Sequence, residues 1–230
     1  MSLLGNFDLQ MLKVPLGFIK VLQFPFVLIA FTAMDGWGFL LEYTCSAKNG
    51  TEPFVQKALV DKFALSSNLI PNCNGTQLPL WDMSYGGTAT LFGLLALSSL
   101  IFVMAMLFIY LMNLETYVND NRYAHADCIV TAALAIVWFL VAVSWWSVTS
   151  NVVEATSNAS IVKLLNEKHF CGNSECLSQS YSHSSPLLIS VLSAWACAIL
   201  FVGNIWFTYK ETDWFKNRQP FPEPQMNIEF

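Results

Sequence analysis

Four long apolar runs, separated by polar stretches of unequal length, dominate the chain. Lipid offers backbone amides no water partner, so about 20 consecutive mostly apolar residues predict a helix crossing a hydrocarbon core roughly 30 Å thick. The runs predict spans over residues 18–40, 87–112, 128–149 and 186–209. The last three contain no Asp, Glu, Lys or Arg. The fourth opens on Ser185 and Pro186, a capping hydroxyl followed by a residue suited to the first helical turn. The first is less regular: Lys20 and Asp35 bracket its most apolar part, and Pro25 removes a backbone bond inside it. Helical rise puts the two charges about 22 Å apart, less than the core thickness, so Lys20 is expected to snorkel and Asp35 to sit near the far interface. The alternative for Asp35 is an intramembrane carboxylate lining an ion path.

Four spans place both ends of the chain on one side. Residues 1–17, the short 113–127 loop and residues 210–230 then face away from two long loops, 41–86 and 150–185. The expected fold is an all-α membrane protein, a four-transmembrane-helix bundle. Composition agrees: 55% of residues are hydrophobic and only 12% charged, half the share usual in soluble domains. The net charge of −5 is spread without a basic run, so neither nucleic-acid binding nor polybasic lipid attachment has support. The start of the chain lacks a short apolar core followed by a small-residue cleavage site, so the first span is expected to direct insertion itself. Lys13, Lys20, Arg122, Lys210, Lys216 and Arg218 lie on the terminal side, against Lys48, Lys57, Lys62, Lys163 and Lys168 on the other. That balance leans slightly toward cytosolic termini.

All three glycosylation sequons, at Asn49, Asn74 and Asn158, fall in the long loops, as do Cys45, Cys73, Cys171 and Cys176. Together they point to a lumenal or exterior face for those loops. Asn74 has the most clearance from a span end and is the favoured acceptor. Four cysteines allow three pairings; two per loop suggests Cys45 with Cys73 and Cys171 with Cys176, each fastening its own loop. The alternative is a metal site from Cys171, Cys176, His169 and His183, which an oxidising compartment disfavours. Cys128 and Cys197 lie in spans as small packing residues, with acylation the alternative for Cys128.

Small residues form two rows, Gly86, Ala89, Gly93 and Ala96 in the second span and Ser190, Ala194 and Ala198 in the fourth. Such rows let helices approach closely in lipid, either inside one bundle or between subunits. Asn204, beside Gly203, needs a hydrogen-bond partner within a span; Gln23 and Lys20 are candidates at similar depth. Trp37, Tyr43, Trp81, Trp145, Trp146, Tyr209 and Trp214 lie near span ends and are expected as interfacial anchors. Leu114, Tyr117 and Arg122 match a proposed cholesterol pattern. No phosphate-cradling loop, metalloprotease helix or nucleophile elbow is present, and no enzymatic activity, cofactor or metal is expected. His125 and Asp127 resemble a capping arrangement more than an acid–base pair.

"PLGFIKVLQ" (residues 15–23), "WFLVAVSWW" (138–146) and "VGNIWFTYKET" (202–212) resemble signatures of the synaptophysin family, the physins, four-span MARVEL-domain proteins of transport vesicles. The likeness covers residues 14–212. It implies a MARVEL-like bundle, a disulfide in each lumenal loop, both termini cytosolic, and a ring-like homo-oligomer in cytoplasmic vesicle membranes, secretory or synaptic-like. It implies cholesterol, synaptobrevin-type fusion proteins and the vesicular proton pump as partners. The implied role is non-enzymatic: organising vesicle membrane and sorting or chaperoning fusion machinery through lateral transmembrane contacts. An oligomeric vesicle channel or transporter, with Asp35 on its path, is the alternative. The short tail after Thr212 lacks long Tyr-Gly-rich repeats and is closer to the pantophysin-like branch; Asp35 has no counterpart in the family pattern.

Overall fold

The computed structural model describes residues 14–45, 53–112, 117, 120–172, 176–180 and 184–217. Its main helices are α1 (Pro15–Asp35), α2 (Gly86–Met112), α3 (Asn121–Ala155) and α5 (Ser185–Glu211). All four are long and apolar enough to cross a membrane. Two short helices follow spans: α4 (Asn158–Glu167) after α3, and α6 (Asp213–Lys216) after α5.

α5 is the central helix, lying along both α3 and α1, while α1 in turn packs on α2. Accordingly 44% of the most apolar stretch of α5 is buried, against 33% for each of the others. What remains outside is still apolar: Leu91, Leu94, Leu97, Ile101 and Phe108 on α2, and Leu188, Leu192 and Ile199 on α5, are exposed. Large apolar side chains facing outward as well as inward mark a helix solvated by lipid. Inside, the small-residue rows let backbones close up: Ala89, Ala96, Ser190, Ala194 and Ala198 are buried. A Cβ on Gly93 would come 3.3 Å from the Met34 methyl of α1. Gly86 instead meets Ala64 of the first loop, and Gly203 is exposed beside Ile19.

The long loops depart from the all-α expectation. β1 (Phe39–Cys45), β2 (Phe54–Val60) and β5 (Leu177–Ser180) form an antiparallel sheet in the order β2-β1-β5, so the second loop adds a strand to a hairpin of the first. β3 (Leu69–Pro71) pairs with β4 (Gln77–Pro79). β1 alternates, with Phe39, Leu41, Tyr43 and Cys45 buried and Leu40 exposed, as a half-buried strand should. The first helix therefore ends at Asp35 rather than Leu40, and the apolar residues beyond it belong to a strand. α1 and α3 also begin earlier than the apolar runs suggested, and α3 ends later. Ser185 is the first residue of α5 rather than its cap, which is Ser184.

Disulfides join Cys45 to Cys73 and Cys171 to Cys176, the pairing suggested by two cysteines per loop. The metal alternative for Cys171 and Cys176 is thereby excluded; its His183 lies outside the described residues. The Cys73 amide donates to the Phe170 carbonyl at 3.0 Å, linking the two loops into one cap. The Tyr43 hydroxyl donates to the Pro71 carbonyl, and Trp81 Nε1 donates to the Ala155 carbonyl at 3.0 Å, tying the cap to the end of α3.

Four residues expected as interfacial anchors are core instead: Trp37, Tyr43, Trp81 and Trp145 are buried. Trp146 and Trp214 remain exposed. Trp37 stacks on Phe63, Phe63 meets Trp145, Trp145 stacks on Phe92, and Phe92 contacts Trp138 edge-on. This column runs from the cap into the bundle. Indole N–H groups seek partners when buried; Trp145 donates to Ser190 and Trp138 to Ser99, each at 2.9 Å, while Trp37 Nε1 has no partner among the described residues.

A candidate functional site: the buried polar cluster

The other half of the bundle, toward the chain termini, holds a buried polar cluster beside Leu16, Met106 and Ala124. Lys20 on α1 is fully buried and does not snorkel. Its Nζ donates to Asp127 Oδ1 on α3 at 3.0 Å, lies 3.5 Å from Thr131 Oγ1, and sits 4.3 Å from the centre of the Phe102 ring on α2. Thr131 also donates to Asp127 Oδ1, at 3.1 Å. The second carboxylate oxygen accepts from the Tyr110 hydroxyl of α2 and, at 3.3 Å, from Tyr117. The two tyrosine rings meet edge-on.

Each part of this arrangement has a physical reason. Two charges removed from water need close contact and further hydrogen bonds to offset desolvation. Asp127 is met by an ammonium and three hydroxyls, and the aromatic face of Phe102 covers the ammonium. Tyr117 lies outside the spans; burial first, then the Asp127 charge, pushes its phenol up, so it stays a donor. The cluster joins α1, α2, the connector after α2 and α3. Gln23 extends it to α5, donating to the Leu200 carbonyl at 3.3 Å.

Several expectations change here. Asp127 is not part of a helix cap: Asp120 caps α3, accepting from the Arg122 amide at 3.0 Å, and His125 stacks on Trp214. Lys20 is occupied by Asp127, not Asn204. Asn204 is fully buried, and no hydrogen bond joins its side chain to Gln23 among the described residues. Tyr117 is buried with its hydroxyl on Asp127, so the cholesterol pattern does not present its tyrosine to lipid; Arg122 is exposed and Leu114 lies outside the described residues. Asp35 is exposed at the last position of α1. Cys128 and Cys197 are free and buried, which leaves no accessible thiol for acylation there.

Of the sequons, Asn49 lies outside the described residues. Asn74 is exposed in a turn whose Asn72 Oδ1 accepts from the amides of Asn74 and Thr76, both at 3.0 Å. Asn158 is at the start of α4, and its Oδ1 accepts from Ser178 Oγ at 2.6 Å, tying α4 to β5.

The arrangement is suited to locking helices together. Among the described residues, no three His, Cys, Asp or Glu side chains converge as a metal site. The chain alone hid the ion pair: the apolar runs leave Asp127 one residue outside the third span, and the earlier start of α3 at Asn121 brings it to a depth like that of Lys20 in α1. No family model matches the chain.

Proposed function

We propose that this four-span protein is a non-enzymatic organiser of transport-vesicle membranes, of the physin, MARVEL-domain kind. It sorts or chaperones fusion-machinery partners through lateral contacts of its spans. The observation that carries this reading is where the bundle spends its chemistry. Its buried ion pair, Lys20 with Asp127, is closed off by Tyr110, Tyr117 and Thr131, while α2 and α5 turn rows of large apolar side chains outward. A protein built this way meets its partners in the plane of the membrane. The braced cap is consistent with a lumenal face carrying disulfides and a glycan at Asn74. Implied partners are synaptobrevin-type fusion proteins, the vesicular proton pump, cholesterol and further copies of this chain.

The test is photocrosslinking from exposed outward positions, Leu94 and Leu192, in the intact tagged chain within native membranes. Adducts with a synaptobrevin-type protein in a vesicle fraction support the reading. Absence from vesicle fractions, or selective conductance of the purified protein in liposomes, overturns it in favour of another role.

A further inference from the structure

At the cap end of the bundle, α3 and α5 border an outward-facing groove of about 540 Å³. Its apolar lining comes from Trp146 and Val153 of α3 and from Leu187, Leu188 and Val191 of α5. Thr149, Ser150, Ser157 and Ser184 add hydroxyls to the lining, and Glu154 is its one charged residue. Trp146 and Glu154 are eight residues apart, about 12 Å along the helix. The groove thus runs from an apolar inner end at Trp146 and Val191 to a carboxylate at Glu154.

The polar end has a definite hydrogen-bonding sense. The hydroxyls of Thr149 and Ser150 both donate to the Trp146 carbonyl, at 2.9 and 3.0 Å. Ser157 donates to Ser160 Oγ at 3.0 Å. Their protons are therefore used; Thr149 is buried, so the hydroxyl oxygens left to accept at the open side are those of Ser150 and Ser157. Glu154 adds a carboxylate that forms no ion pair among the described residues. Such a site accepts hydrogen bonds and favours positive charge.

We propose that this groove seats phosphatidylethanolamine, its ammonium at Glu154 and the neighbouring hydroxyl oxygens, and one acyl chain along Trp146, Leu188 and Val191. A primary ammonium supplies three N–H donors and a positive charge. Choline supplies the charge without a donor, serine adds a carboxylate that Glu154 repels, and a sterol brings one hydroxyl and no charge. The inference goes beyond the vesicle reading and stands on the groove alone.

The experiment uses the intact chain in phosphatidylcholine nanodiscs containing a trace of phosphatidylethanolamine with a diazirine in its acyl chain. After photolysis, adducts are mapped by mass spectrometry. The expected adducts fall on residues 146–154 and 187–191, and unlabelled phosphatidylethanolamine competes for them. E154Q lowers this labelling about fivefold, the scale of one charge interaction at an interface. L188W, at an exposed position that fills the groove, lowers it while leaving the mobility of the protein in gel filtration unchanged. Equal competition by phosphatidylcholine, better competition by a sterol, unchanged labelling in E154Q, or adducts spread evenly over the outer face of α2 would each overturn the proposal.

Discussion

Lys20 and Asp127 neutralise each other in a setting where either alone would be a buried, uncompensated charge. Removing one partner of such a pair costs about 3–5 kcal/mol, whereas replacing both by apolar groups costs much less. K20M and D127L are each expected to destabilise the protein by that amount, and the double variant by less than the sum, in unfolding measured in bicelles. Strictly additive losses would contradict a direct pair. Tyr43 makes a second residue-scale prediction. Burial raises its phenol to about 12, above the ordinary value near 10. The folded state therefore holds the proton more tightly than the unfolded one. The contribution of Tyr43 is fully present below about pH 10 and lost as pH rises toward 12. Y43F should remove this part of the alkaline loss of stability, followed by chemical denaturation across that pH window. Of these residues, the chain shows Tyr43 plainly as an aromatic near a span end. It does not show that Tyr43 faces Pro71, because that contact depends on a fold-back of the loop.

At the scale of elements, the helices were legible because lipid imposes a length and an apolarity that few other segments share. Strand β1 was not. The expected first span ran to residue 40, so Phe39 and Leu40 fell in a span and Leu41 to Cys45 in a loop, which hid the period of two. Lys20 was misplaced for a related reason: depth along a helix can be read from the chain, but the helix that lies opposite cannot. The disulfides were legible from their distribution, two cysteines per loop. Their sequence separations, 28 and 5 residues, imply unequal contributions. The chain-entropy estimate gives about 3.5 kcal/mol for the first and about 2 for the second. Replacing Cys45 and Cys73 by serine should therefore accelerate hydrogen exchange across β1 and β2 more than replacing Cys171 and Cys176 does. The reverse order would show that the first bridge is not what holds the hairpin. The sequons divide similarly. Asn74 is exposed in a turn, whereas the Asn158 amide is engaged by Ser178 next to the end of α3. N74Q is expected to remove a glycosidase-sensitive mobility shift, and N158Q to leave it unchanged.

The whole molecule has two unlike halves: an aromatic column beneath a disulfide-tied cap, and a polar lock near the chain ends. Both follow from a chain that crosses the membrane four times and returns to its starting side. The cap needs covalent bridges because so small a sheet buries little core of its own. The polar lock needs the bundle around it, since lipid offers no other partner for Lys20 and Asp127. The most direct test is sidedness in intact microsomes, with a tag at each end of the chain and the native sequon at Asn74. The account predicts that protease added to the cytosolic side removes both tags while the Asn74 glycan survives within a protected fragment. One tag protected and the other lost, or an unglycosylated loop cleaved from the cytosolic side, would contradict it.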